Sequence, residues 1–286
     1  MTRRGETLKL RIAGTAAHVA EPADDATAEV WRDAHGEICA WAQRANGDRW
    51  MHLPGVASYR LRPGATEVTA IPDPRASAEL VVTGYERTVL PMAVQLAGQE
   101  VLHASAVLTG GGVVAFCAVS TTGKSTIADA LGRRGYRVWA DDAVAFDPTD
   151  GSVAAIALPF RLSPRGLAPA DDRGVTNVPT RVVEPEPGLA PLSAVCVLER
   201  ASLPQPLGPV SVRRLPPAEA FPAVLAHAYC YSLEDAGRNR LMIDHYLELS
   251  ARVPTFSVRF RAGMGHLAPV LDEVERAIVM APPGAA

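Results

Sequence analysis

The stretch His103-Ala-Ser-Ala-Val-Leu-Thr-Gly-Gly-Gly-Val-Val-Ala-Phe-Cys-Ala-Val-Ser-Thr-Thr-Gly-Lys-Ser125 decides the fold. Two apolar runs, Ala104–Leu108 and Val113–Ala118, read as strands, and Thr109-Gly-Gly-Gly112 between them suits a tight reversal. The pair is therefore predicted to be an antiparallel hairpin. Its second strand enters Ala118-Val-Ser-Thr-Thr-Gly-Lys-Ser125, which follows the phosphate-loop pattern Gly-x4-Gly-Lys-[Ser/Thr] except for alanine at the first position. A helix from about Lys124 to Arg134 follows, with Gly135 where a left-handed C-cap is favoured. Tyr136–Ala140 then reads as a strand that ends on Asp141-Asp142. A simple β-α-β nucleotide domain would not need the hairpin, so a mixed α/β fold is expected.

Upstream, residues 1 to about 75 read as short strands at Leu8–Ala13, Ala28–Trp31, Ile38–Trp41, Ser58–Leu61 and Glu67–Ile71, separated by Gly, Pro, Asn and Asp. A helix is predicted near Tyr85–Ala97, stopped by Gly98, with Pro91 pointing to a later start. Downstream, residues 159–191 hold many prolines with scattered charge and read as a long loop that orders when an acceptor docks. Strands Ala194–Leu198, Val210–Leu215 and Thr255–Arg261 follow, with helices near Ala218–Ala228, Leu241–Ala251 and Leu267–Met280. The domain expectation is a β-rich region over 1–80 and a phosphate-loop domain over 81–286.

Composition narrows the class. The chain has 286 residues, 48% hydrophobic and 21% charged, as a globular protein with an adequate core requires. A formal charge of −3 gives no strong pull toward nucleic acid or anionic membrane. Cys39, Cys117, Cys196 and Cys230 form no Cys-x-x-Cys pair, which argues against a metal cluster or disulfide framework. No window approaches the roughly 18 apolar residues of a membrane helix, and no apolar core follows the charged start. A cytoplasmic location is the expectation.

The candidate chemistry follows from the loop. Successive backbone N–H groups in such a loop form an anion-binding nest, helped by the positive end of the next helix. The expected nucleotide-binding residues are Ala118, Ser120, Thr121, Thr122, Gly123, Lys124, Ser125 and Thr126. Lys124 would reach the β- and γ-phosphates and the Ser125 hydroxyl would ligate Mg²⁺, with ATP as the nucleotide. Of Asp141 and Asp142, one carboxylate could bind the metal and the other accept a proton from a hydroxyl nucleophile. An acidic turn at a strand end is the competing reading. His103 either orients the base or contacts phosphate, or caps a strand edge. His227, His245 and His266 lack partner spacing and read as surface or packed residues. Arg238 and Arg240, in Glu234-Asp-Ala-Gly-Arg-Asn-Arg240, read as a solvated loop before a phosphate contact. Arg161 and Arg165 open the proline-rich loop and are weighed as phosphate contacts on that ground.

Three pieces together, His103-Ala-Ser-Ala-Val, the Ala118–Ser125 loop and Arg134-Gly-Tyr-Arg-Val-Trp-Ala-Asp-Asp142, resemble the catalytic domain of HPr kinase/phosphorylase. Leu215-Pro-Pro-Ala-Glu-Ala-Phe221 and Arg252-Val-Pro-Thr-Phe-Ser-Val-Arg259 look like the shorter HPr-kinase-related proteins encoded with peptide natural products, including kinases that tailor lasso-peptide precursors. The resemblance implies a core akin to phosphoenolpyruvate carboxykinase, with ATP and Mg²⁺ as cofactors. It implies Asp141 as catalytic base, Lys124 on the phosphates, and Ser125 and Asp142 at the metal. The expected partner is a peptide or small protein that offers a serine, and a homo-oligomer is allowed for. The competing functions are an HPr serine kinase, a small-molecule kinase and a nucleotide-binding regulator without catalysis.

Overall fold

The computed structural model describes residues 8–14, 29–33, 35–62, 64–148, 152–162, 181–183, 188–201, 210–231 and 235–279. Most of the proline-rich stretch, residues 163–180 and 184–187, and with it Arg165, lies outside the described residues. The chain divides into two compact units, Met1–Gln99 and Glu100–Ala286. Among the described residues no helix is long and apolar enough to cross a membrane.

The first unit is a six-stranded sheet made of β1 (Lys9–Ile12), β2 (Glu29–Arg32), β3 (Ile38–Ala45), β4 (Asp48–Leu53), β5 (Ala57–Leu61) and β6 (Glu67–Pro72), ordered β1-β6-β5-β4-β3-β2. The sequence expectation lacks β4. Its signal is Asn46-Gly47, whose φ values of 54° and 80° form the two-residue turn between Ala45 and Asp48. Asn-Gly is the pair that a type I′ hairpin prefers. A helical stretch covers the sheet: α1 (Ala78–Gly84), a π turn (Tyr85–Val89) and α2 (Leu90–Leu96). It begins earlier than Pro91 suggested, at a Ser77 cap whose hydroxyl accepts from Leu80 N. The missing Pro91 N–H falls where the wider π turn has already changed the hydrogen-bond register, so the ring is tolerated. This helix belongs with the sheet. Tyr59 Oη donates to Val81 O at 2.7 Å, and a Cβ on Gly84 would stand 2.8 Å from that same Tyr59 oxygen.

The second unit opens with β7 (Glu100–Leu102) and the hairpin β8 (Ala104–Thr109) and β9 (Gly112–Cys117), antiparallel as expected. Gly110 and Gly111 make the turn. Gly112 serves another purpose: at φ 124° it lies against the strand that carries Pro191, and a Cβ there would meet Pro191 O at 2.4 Å. The remaining elements are α3 (Lys124–Arg133), β10 (Arg137–Ala140), β11 (Val144–Asp147), β12 (Ala154–Ile156), β13 (Phe160–Leu162), β14 (Arg181–Val183), β15 (Leu189–Arg200), β16 (Val210–Leu215), α4 (Pro217–Leu225), α5 (Ala236–Arg252), β17 (Thr255–Phe260) and α6 (Leu267–Val274).

The central mixed sheet runs β10-β8-β9-β15-β17-β16, and β13 pairs with β14. Strand β15 is parallel to both β9 and β17, while its first residues pair antiparallel with β12, which continues to β11 and β7. Alternation along the central strands feeds two cores. On one face Val114, Phe116, Ala194 and Cys196 meet Ile127 and Leu131 of α3 and Val270 and Val274 of α6. On the other, Val113, Ala115, Val195 and Val197 meet Val224 of α4, Tyr246 and Leu249 of α5, and Phe146 of β11. A sheet covered on both faces needs near-continuous apolar strands, and β9 is buried at every residue.

Candidate active site

Strand direction assembles the site. Because β8 is antiparallel to both of its neighbours, β9 and β10 end at the edge where β8 begins. Ala104 stands opposite Cys117, and Ala140 opposite Ala106. Strand β15, parallel to β9 with Val197 opposite Cys117, carries Arg200 past the same edge. Four strand ends therefore deliver His103 and Ser105, the 118–123 loop, Asp141 and Asp142, and Arg200 to one place.

The contacts there are short and largely buried. Asp141 is 5% exposed, and its Oδ1 accepts from Ser125 Oγ at 2.7 Å and from Ser105 Oγ at 2.6 Å. Lys124, 6% exposed, donates to Ala118 O at 3.0 Å and lies 3.1 Å from His103 Nε2. His103 Nδ1 faces Asp142 O at 3.1 Å and Tyr229 Oη at 3.3 Å. Asp142 is half-buried and takes φ 66°, a left-handed turn that an aspartate tolerates better than most residues. That turn is why two adjacent carboxylates do not simply alternate across the strand.

Electrostatics follows the same geometry. Burial lowers the Lys124 pKa, while Asp142, then Cys117 and Asp141, pull it back up. Burial and then the Lys124 charge lower the His103 pKa; Asp142 again opposes more strongly than Asp141. His227 is lowered by burial, then by Lys124 and His103. An imidazole that stays neutral beside a buried ammonium can accept its hydrogen bond. Asp142 therefore acts chiefly on Lys124 and His103, while Asp141 is the carboxylate on the Ser125 hydroxyl.

Several of these residues have no local sequence signal. Ser105 lies on the α3-facing side of a strand that otherwise reads as apolar. Tyr229 sits on an extended segment after α4, tied down by its N–H on Val101 O (3.0 Å) and by His103 N on His227 O (2.8 Å). It stacks on Tyr231 at 5.5 Å and meets His103 edge-on at 5.8 Å. Arg200 donates through Nε to Thr122 O at 3.3 Å and through a terminal nitrogen to Thr121 O.

Other expected residues lie elsewhere. Arg238 is not in a solvated loop: Asp235 caps α5, placing Arg238 in its first turn, where it pairs with the fully buried Glu100 at 2.7 Å. His245, about two helical turns further on, bonds the same carboxylate at 2.9 Å. Arg240 is exposed on that helix. Ser125 Oγ and the Asp141 carboxylate are hard oxygen donors that could hold Mg²⁺ with help from phosphate oxygens and water. Among the described residues no group of three or more His, Cys, Asp or Glu side chains could hold a metal alone.

No family model and no curated protein matches this chain. Among solved structures it is similar to the Hpr(Ser) kinase/phosphatase from Coxiella burnetii, with 15% identity and a TM-score of 0.33 over 61% of this chain and 86% of that one. The likeness is too distant to carry a statement about chemistry, which rests on the residues above.

Proposed function

We propose that this chain is an ATP-dependent kinase that moves the γ-phosphoryl group of ATP to a serine hydroxyl of a peptide or small protein. The observation that carries the reading is the Ser125–Asp141 hydrogen bond at 2.7 Å, made at the N-terminus of α3 beside the buried Lys124. A helix N-terminus, a lysine and a hydroxyl–carboxylate pair are the parts that phosphoryl transfer needs, because catalysis there is mostly positioning and charge neutralisation.

In this reading Lys124 leaves Ala118 O and reaches the β- and γ-phosphates. Ser125 and Asp141 would hold Mg²⁺, which would supply charge neutralisation on those phosphates. Asp142 is the general base, taking the proton of the acceptor hydroxyl while its oxygen bonds to the γ-phosphorus and ADP leaves. This exchanges the two aspartate roles that the family resemblance implied, on the ground that Asp141 already bonds the Ser125 hydroxyl, the expected metal ligand, and is buried, whereas Asp142 is half-exposed toward an acceptor. His103 stays neutral, accepting from Lys124 at Nε2 and holding the Asp142 backbone carbonyl at Nδ1.

The acceptor we propose is the serine of a biosynthetic precursor peptide of the lasso type, as the resemblance of the 215–221 and 252–259 segments suggests. The test is competition: the enzyme with ATP, Mg²⁺, and equal amounts of HPr and the precursor peptide encoded nearby, read by mass gain. Mass gain on the peptide, lost when its serine is replaced by alanine, supports the proposal. Phosphate on HPr alone overturns the acceptor; no transfer to either, with no ATP bound, overturns the kinase.

A further inference from the structure

Thr121 sits in the 118–123 loop at φ 68°. For a β-branched residue that is a costly conformation, since its two γ substituents crowd the backbone that glycine would leave clear. The loop nevertheless needs a left-handed residue there to turn from β9 into α3. Inside the loop Thr122 N donates to Val119 O at 3.3 Å, a long bond that holds the turn weakly. The compensation comes from outside. Arg200 ends β15 in parallel register with Phe260 of β17, three residues beyond Val197, which stands opposite Cys117 of β9, so its backbone is fixed to the sheet that carries the loop. Its guanidinium donates to the carbonyls of Thr121 and Thr122, the first two peptide oxygens after the left-handed φ.

We propose that Arg200 is a positioning residue that holds the loop in its strained, anion-ready form. It acts on the loop carbonyls and so on the direction of the loop N–H groups, and it has no part in proton transfer. The inference rests on the nucleotide-binding reading above. Without Arg200, Thr121 would relax to negative φ and the loop amides would turn from where phosphate sits. Glycine at 121 takes positive φ as readily as negative, so a loop with glycine there needs Arg200 far less. The two residues are therefore coupled through one backbone angle, a pattern that a general loss of stability would not produce.

The test is a double-mutant cycle on the full chain with Arg200→Ala, Thr121→Gly and both together, measuring Mg·ATP binding by calorimetry. Two charge-assisted bonds hold the loop, so Arg200→Ala alone should weaken binding roughly tenfold or more. Added to Thr121→Gly, it should weaken binding by less than about threefold. Equal losses in both backgrounds, or no loss in either, overturn the proposal. Hydrogen exchange of residues 118–123 without nucleotide decides the matter even if wild type binds no ATP. Exchange should quicken with Arg200→Ala and stay unchanged when that substitution joins Thr121→Gly. Exchange identical in wild type and Arg200→Ala sinks the positioning role on its own, whereas failure of wild type to bind sinks only the nucleotide reading.

Discussion

In the N-terminal unit His52 lies against Trp41 (ring centroids 4.8 Å) and Trp50 (6.0 Å), with Gln43 and Ser58 on its two ring nitrogens. In the C-terminal unit His103 has a buried lysine on one nitrogen and a backbone carbonyl and a tyrosine on the other. Both rings are kept neutral by burial, yet only the second is surrounded by charge. A neutral histidine among neutral partners is a finished piece of core. One bonded to a buried ammonium and acted on by the charges of Asp142 and Asp141 is the kind of perturbed group that marks a candidate functional site.

The difference can be broken first at the carboxylates. Asp142→Asn keeps the shape and removes the base, so turnover should fall by roughly 10²–10⁴ while Mg·ATP still binds. Asp141→Asn should instead raise the Mg²⁺ concentration needed for half-maximal turnover. Steady-state rates against Mg²⁺ separate the two. If Asp141→Asn costs the larger factor at saturating Mg²⁺ and Asp142→Asn keeps a near-normal rate, the roles are as the family resemblance implied.

A smaller effect sharpens the comparison through proton titration followed by NMR of the imidazole carbons. His52 should titrate at about 4, below the usual 6.5, because burial disfavours its charged form. The unfolded chain takes that proton near the ordinary value and the folded chain does not. The stability from His52 is thus complete above pH 6.5 and is lost as pH falls toward about 4. Lys124→Ala should leave the His52 midpoint alone and move that of His103 upward, since the Lys124 charge helps to depress it. A His103 midpoint unmoved by that substitution would place Lys124 out of its reach.

What was legible in the sequence was local. The Gly110-Gly111 hairpin, the loop into α3 and the Gly135 cap each depend on residues a few positions apart, and all are present as expected. Short strands such as β7, β11 and β12 were not legible, because three or four residues carry no periodicity of their own and are extended by their neighbours. Pro91 misdirected the helix start because a π turn absorbed the ring. At the site, Lys124, Ser125 and the aspartates announce themselves through spacing. Ser105, Tyr229 and Arg200 arrive on other strands, and only the sheet order brings them in. The different surroundings of Asp141 and Asp142 go with the φ of 66° at Asp142, which alternation along a strand cannot foresee.

The central claim is that the loop before α3 binds the phosphates of ATP through Lys124. Calorimetric titration of Mg·ATP into wild type and into Lys124→Ala, with circular dichroism to confirm that both are folded, tests it directly. The account predicts saturable one-site binding to wild type and affinity lowered at least tenfold, or lost, in the variant, as removal of a buried charge on phosphate should give. Equal affinity in the two folded proteins, or no binding to wild type, would contradict it.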